Sequence, residues 1–309
     1  MPVKERRLEI EDVLLIPNTK RIEKFSIAGV VCSLQLKGIK IKDWPTPFYS
    51  PFRVQTPADI KIILEYARNL PIEGPESKLL FDGQSHWQFF DCSDHYLIKL
   101  FEPKNLSHNR SAIVSKDLSE VKLLMKHHST KLDLAFRPFM EILFINYLAS
   151  RGGLLLHGAA VRDGKSAYLF VGESGAGKTT MSQFWAYKEG DISVLGDERI
   201  IVRREPDGWF VYGTPWPGLG FVVANQRVPI SNIFFIRHGQ QHEVIPQPKP
   251  ILFQKLFTQV FSSFWDYEKV TQISDTCAQM IEEVPAYELA SLKEAPVTDF
   301  VRDFARRND

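Results

Sequence analysis

Val171-Gly172-Glu173-Ser174-Gly175-Ala176-Gly177-Lys178-Thr179-Thr180 is the stretch on which the reading of this chain turns, because it fits the pattern G-x-x-x-x-G-K-[ST] at each fixed position. Glycines at 172, 175 and 177 allow backbone angles closed to other residues, so successive N–H groups can turn inward around an anion. Lys178 brings a compact positive charge to the β and γ oxygens of a triphosphate, and the Thr179 hydroxyl is placed to ligate the accompanying magnesium. Residues 166 to 171 read as a short buried strand entering the loop, and 179 to 186 as a helix leaving it. The partial positive charge at that helix start favours an anion further. Gly172, Glu173, Ser174, Gly175, Ala176, Gly177, Lys178, Thr179 and Thr180 are therefore the expected nucleotide-binding residues, against the plainer reading of a space-saving glycine turn.

The next candidates lie one helix and one strand further on. Asp197-Glu198 follows the apolar run Ile192 to Leu195 and Gly196, so two carboxylates emerge at a strand end, where open sheets place ligands. Phosphoryl transfer uses one carboxylate for magnesium and another to accept the proton of the attacking hydroxyl, and this pair can supply both. The plainer reading has both acids opening a hairpin and pairing with Arg199 or Arg203. His157 ends the apolar run Leu154 to Leu156, with small residues 158 to 160 behind it. It is a candidate to relay a proton or contact a phosphate, or else a hydrogen-bonded core residue. Residues 212 to 220, dense in Gly and Pro around Trp216, read either as a lip of the site or as a rigid connection.

The 309 residues, 44% apolar and 24% charged, suit a globular chain with room for two domains. A net charge of +1 gives no global field for nucleic acid or an acidic membrane, so neither partner is expected. Three widely spaced cysteines form no C-x-x-C pair, the first nine residues lack the apolar core of a secretory signal, and Phe139 to Ala149 is too short to span a bilayer. These features make a cytoplasmic protein the expectation, and they leave room for a homo-oligomer. Up to residue 131 the chain shows short extended runs (25 to 36, 78 to 81, 86 to 90, 95 to 100) broken by turns such as Pro45-Thr46-Pro47, Asp82-Gly83 and Pro103-Lys104-Asn105. This predicts a β-rich accessory domain over 1–131. The pattern then changes to helix from Pro138, strands at 154–157, 166–171 and 192–195, a hairpin about Pro206-Asp207-Gly208, a strand at 233–236, and helices at 251–264 and 270–283. That sequence of elements predicts an α/β nucleotide domain over 132–309.

With these residues in hand, the chain resembles the HPr kinase/phosphorylase-related family, whose nucleotide domain is similar to that of the phosphoenolpyruvate carboxykinases. The likeness rests on residues 155 to 158, 172 to 180, 195 to 199 and 213 to 216, in that order. It implies a P-loop α/β fold of the phosphoenolpyruvate carboxykinase/HPr kinase-like type, ATP and magnesium as cofactors, and γ-phosphate transfer to a serine-like hydroxyl. His157 would then lie near the transferred phosphate, Asp197 would act as base, and Glu198 would hold magnesium with Thr179. HPr kinases carry Asp-Asp where this chain has Asp197-Glu198, and a polar segment where it has Pro215-Trp216-Pro217. The expected acceptor is accordingly a peptide, protein or small molecule other than HPr, and the competing expectation is a nucleotide-binding switch with little catalysis.

Overall fold

The structure, a computed structural model, describes residues 22–38, 47–84, 86–102, 106–126 and 137–308. Residues 1–9, the turns at 45–46 and 103–105 and the expected boundary at 131–132 lie outside the described residues. Sixteen strands and five helices make up the rest.

The first eight strands are β1 (Ile22–Ile27), β2 (Val30–Lys37), β3 (Ile60–Tyr66), β4 (Lys78–Asp82), β5 (Trp87–Cys92), β6 (His95–Phe101), β7 (His108–Ser115) and β8 (Glu120–Met125). They form one sheet in the order β1-β2-β3-β8-β7-β6-β5-β4. The β1–β2 hairpin closes on Ala28 and Gly29, both at positive φ (51° and 79°), the geometry whose twist matches that of the flanking strands. β2–β3 and β3–β8 pair in parallel, which makes the sheet mixed.

The second sheet contains β9 (Gly153–Asp163), β10 (Ser166–Val171), β11 (Ile192–Gly196), β12 (Arg199–Glu205), β13 (Gly208–Tyr212), β14 (Arg227–His238), β15 (Glu243–Ile245) and β16 (Ala286–Ser291). Its path runs β10-β9-β12-β13-β14-β16-β15, with β11 on β9 and a further parallel pairing of β10 with β14. Two long strands organise it. The first half of β9 pairs with β12 and its second half with β10 and β11. The start of β14 pairs with β13, and its remainder with β10 and β16.

Helix α1 (Phe139–Ala149) joins the two sheets. Eight of its eleven residues are buried, and Glu141 is its one charged side chain. Phe139, Met140, Leu143 and Phe144 share one core with Phe25, Leu34 and Ile62 of the first sheet and with Leu155, Ile201 and Trp216 of the second half. The other helices are α2 (Lys178–Ala186), α3 (Lys249–Phe257), α4 (Tyr267–Glu283) and α5 (Val297–Asn308). None is long and apolar enough to cross a membrane.

This architecture corrects the expected fold class. The α/β P-loop nucleotide domain of the phosphoenolpyruvate carboxykinase/HPr kinase-like type implies a helix-rich unit. The chain instead builds two large mixed sheets of eight strands each and is 23% helical. The reason is that a short apolar run reads alike whether its strand is followed by a crossover helix or by a hairpin. Gly158-Ala159-Ala160, expected beyond the end of a strand, continues β9 through to Asp163. The segment after Gly196 forms β12 and β13, the hairpin expected about residues 206–208, and β12 pairs antiparallel with β9. Of the described strands, only β10 leads through a glycine loop directly into a helix.

Candidate active site

Three different constraints fix glycine in the loop after β10. A Cβ on Gly172 would stand 2.9 Å from the Ile236 carbonyl oxygen of β14, so that position is closed by packing. Gly175 and Gly177 have φ of +84° and +107°, which other residues rarely adopt. Helix α2 starts at once, with Gly177 as its N-cap and no side chain capping it. Lys178 is 6% exposed and curls back over the loop, donating to the carbonyl oxygens of Gly172 (2.6 Å) and Glu173 (2.9 Å). Burial pulls its pKa below the ordinary lysine value, the nearby Glu198 charge opposes that pull, and Arg199 adds to it. Glu173, Ser174 and Gly175 are exposed, while Ala176, Gly177, Thr179 and Thr180 are half-buried. Beside the loop lies a cleft of about 440 Å³, bounded across from it by the end of β14 and by Lys255, Thr258 and Gln259. His238 reaches over to the Gly175 carbonyl oxygen at 3.1 Å.

His157 sits where β9 changes partners. It is the last residue paired with β12, opposite Arg199, and Gly158 is the first paired with β10, opposite Val171. Burial lowers the pKa of His157, the charges of Lys178 and Arg199 lower it further, and Glu198 and a side-chain hydrogen bond with Gln259 oppose them. The net direction keeps the ring neutral at pH 7. His157, Lys178 and Glu198, distant in sequence, thus lie within each other's electrostatic reach, with Arg199 among them.

The two acids are placed differently. Asp197 is 2% exposed, and both its oxygens are taken, accepting from the backbone N–H of Gly218 (2.9 Å) and of Gly220 (2.7 Å). A Cβ on Gly220 would come within 2.6 Å of Asp197 Oδ2, and one on Gly218 within 2.7 Å of Glu198, so only glycine lets the loop close over the acids. Glu198 is the accessible member. Its Oε1 accepts from Arg199 at 2.5 Å, and Arg199 also meets Glu141 at 3.3 Å, which Arg137 meets at 3.4 Å. Among the described residues no group of three or more His, Cys, Asp or Glu is placed to hold a metal ion on its own. Thr179 offers a hydroxyl and Glu198 a carboxylate, oxygen donors of the type magnesium takes alongside phosphate oxygens and water.

Of the two readings of residues 212 to 220, Trp216 belongs to the rigid one. It is 1% exposed, donates from Nε1 to the Tyr49 hydroxyl at 3.0 Å, and meets Phe144 edge-on at 5.3 Å between centroids. The exposed apolar residues of this loop are Leu219 and Phe221, which sequence reasoning passed over. Gly218 and Gly220 were read only as part of a glycine- and proline-dense loop, although their alternate spacing beyond an acidic pair was the available signal for a clasp on Asp197. No family model matches the chain, and a search of curated proteins finds no match.

Proposed function

We propose that this chain is an ATP- and magnesium-dependent kinase that transfers the γ-phosphate to a serine-like hydroxyl. The observation that carries the reading is a complete phosphate loop that leaves β10 directly after Val171, while the neighbouring β9 sets His157 opposite Arg199, next to Glu198, and Gly158 opposite Val171. In this reading the backbone N–H groups of 172–180 cradle the β-phosphate. Lys178 exchanges two loop carbonyls for β and γ oxygens. Thr179 and Glu198 would hold magnesium, which would supply positive charge to the phosphates. The acceptor oxygen forms a bond to the γ-phosphorus as the bond to the bridging oxygen of ADP breaks, and the acceptor proton passes to a carboxylate. Asp197 takes that proton only once Gly218 and Gly220 release it, which makes their loop a moving part of the reaction. Neutral His157 contributes a hydrogen bond beside the transferred group without adding charge.

The engagement of both Asp197 oxygens favours one second reading, a nucleotide-binding switch with little transfer. Incubation with γ-labelled ATP, magnesium and serine-containing peptides separates the two. Asp197→Asn keeps an acceptor oxygen for one of the two amides and cannot take a proton. It is expected to lower labelling by about 100- to 10,000-fold while MgATP still binds. Full labelling by that variant would remove Asp197 from the chemistry. Tight MgATP binding with no labelling by the parent would favour the switch.

A further inference from the structure

A second cleft, of about 330 Å³, opens beside Glu198. Its walls come from both halves of the chain, with Phe48 and Tyr49 on one side and Trp216, Pro217 and Phe221 on the other. Its volume lies at the lower end of ligand-sized clefts, about 300–1,000 Å³, where an apolar lining with a few polar groups is the rule. The charged residues lining it are Arg137 and Glu198, one of each sign, and each already faces an opposite charge, Glu141 and Arg199 respectively. The cleft therefore suits an uncharged occupant, and Glu198, the accessible acid, is part of its lining.

The rim carries a second observation. Leu219 is 86% and Phe221 70% exposed, so two large apolar side chains stand in water at the mouth. Phe221 has φ +54°, a left-handed backbone that a bulky residue keeps only where its surroundings impose it. The imposing contacts are the Phe221 N–H on the Gly218 carbonyl oxygen at 3.2 Å and the Asp197 clasp on Gly218 and Gly220 just before it. The loop that holds the acid is the loop that presents the ring. Phe48 lies nearly parallel to that ring, 6.4 Å away between centroids.

Resting on the kinase reading, we infer that this cleft is the acceptor site, and that it takes an extended peptide whose serine is flanked by a large uncharged apolar side chain. That side chain fills the space between Tyr49 and Pro217, which brings the serine hydroxyl to the acids. Leu219 and Phe221 line the mouth of that space, where the flanking side chain and the chain beyond the serine pack against them.

The test uses the full chain, γ-labelled ATP with magnesium, and blocked hexapeptides carrying one serine flanked by phenylalanine, leucine, glycine or aspartate, with N-acetylserine as a small-molecule control. Phenylalanine- or leucine-flanked peptides should be labelled about tenfold or more faster than the glycine peptide, the discrimination a single apolar pocket gives. Leu219→Ser combined with Phe221→Asn should bring that ratio close to one. Asparagine tolerates the left-handed backbone, so the loop is kept, and MgATP affinity should not change. Equal labelling of all peptides, preference for aspartate, or labelling of N-acetylserine as fast as any peptide would each overturn the inference alone. No labelling of any substrate by a parent that binds MgATP would remove the kinase reading and the inference together. Failure of the parent to bind MgATP would remove the kinase reading and the inference with it.

Discussion

Trp216→Ala is expected to lower the stability of the chain by about 3–5 kcal/mol, the range for truncating a large buried aromatic. The ring is among the largest fully buried side chains and belongs to the core shared by α1 and both sheets. Alanine would leave a cavity between Phe144 and Tyr49 and remove the hydrogen bond that Trp216 Nε1 donates to the Tyr49 hydroxyl. Trp216→Phe fills most of that space and loses chiefly the hydrogen bond, so its expected loss is about 1 kcal/mol. Denaturant unfolding of the three proteins measures both differences. A change below about 1 kcal/mol for the alanine variant would contradict the packing described.

Asp197→Ala should be the next largest effect, about 2–4 kcal/mol, because two backbone N–H groups lose a charged acceptor at once. Gly218 and Gly220 are only half-buried, so their amides can recover water if the loop swings out, which places the value toward the lower end. Asp197→Asn should lose about half as much, since one amide keeps an oxygen partner. The loss should be accompanied by opening of residues 214–221, read as faster amide exchange at 218 and 220. Unchanged exchange in the alanine variant would show that the loop is held by something other than Asp197.

The two parts of the site differed in how far they could be read from sequence. The loop at 172–177 was legible because its glycines answer local demands, two left-handed backbones and one close approach to β14. The helix from Pro138 and the hairpin about residues 206–208 were legible for the same reason, since capping and turn chemistry are short-range. Strand partners are set by long-range packing, which explains the misjudged fold class. Nothing within Leu154 to Asp163 announces that β9 serves β12 with one half and β10 with the other. Trp216 illustrates the ambiguity of a large aromatic among prolines, which suits an exposed lip and a buried anchor equally well. Burial decided it, through Tyr49, a partner 167 positions away. The exposed lip fell to Phe221, whose left-handed backbone is invisible in a residue type that seldom adopts it.

The central claim is that residues 172–180 bind the phosphates of MgATP through Lys178. Calorimetric titration of MgATP into the parent protein and into Lys178→Ala tests it most directly. Lys178 leaves two loop carbonyls for the nucleotide and adds a charge-assisted contact to phosphate, so the account predicts saturable binding by the parent and an affinity at least about tenfold weaker for the variant. Equal affinities in the two proteins, or no heat of binding in the parent, would contradict it.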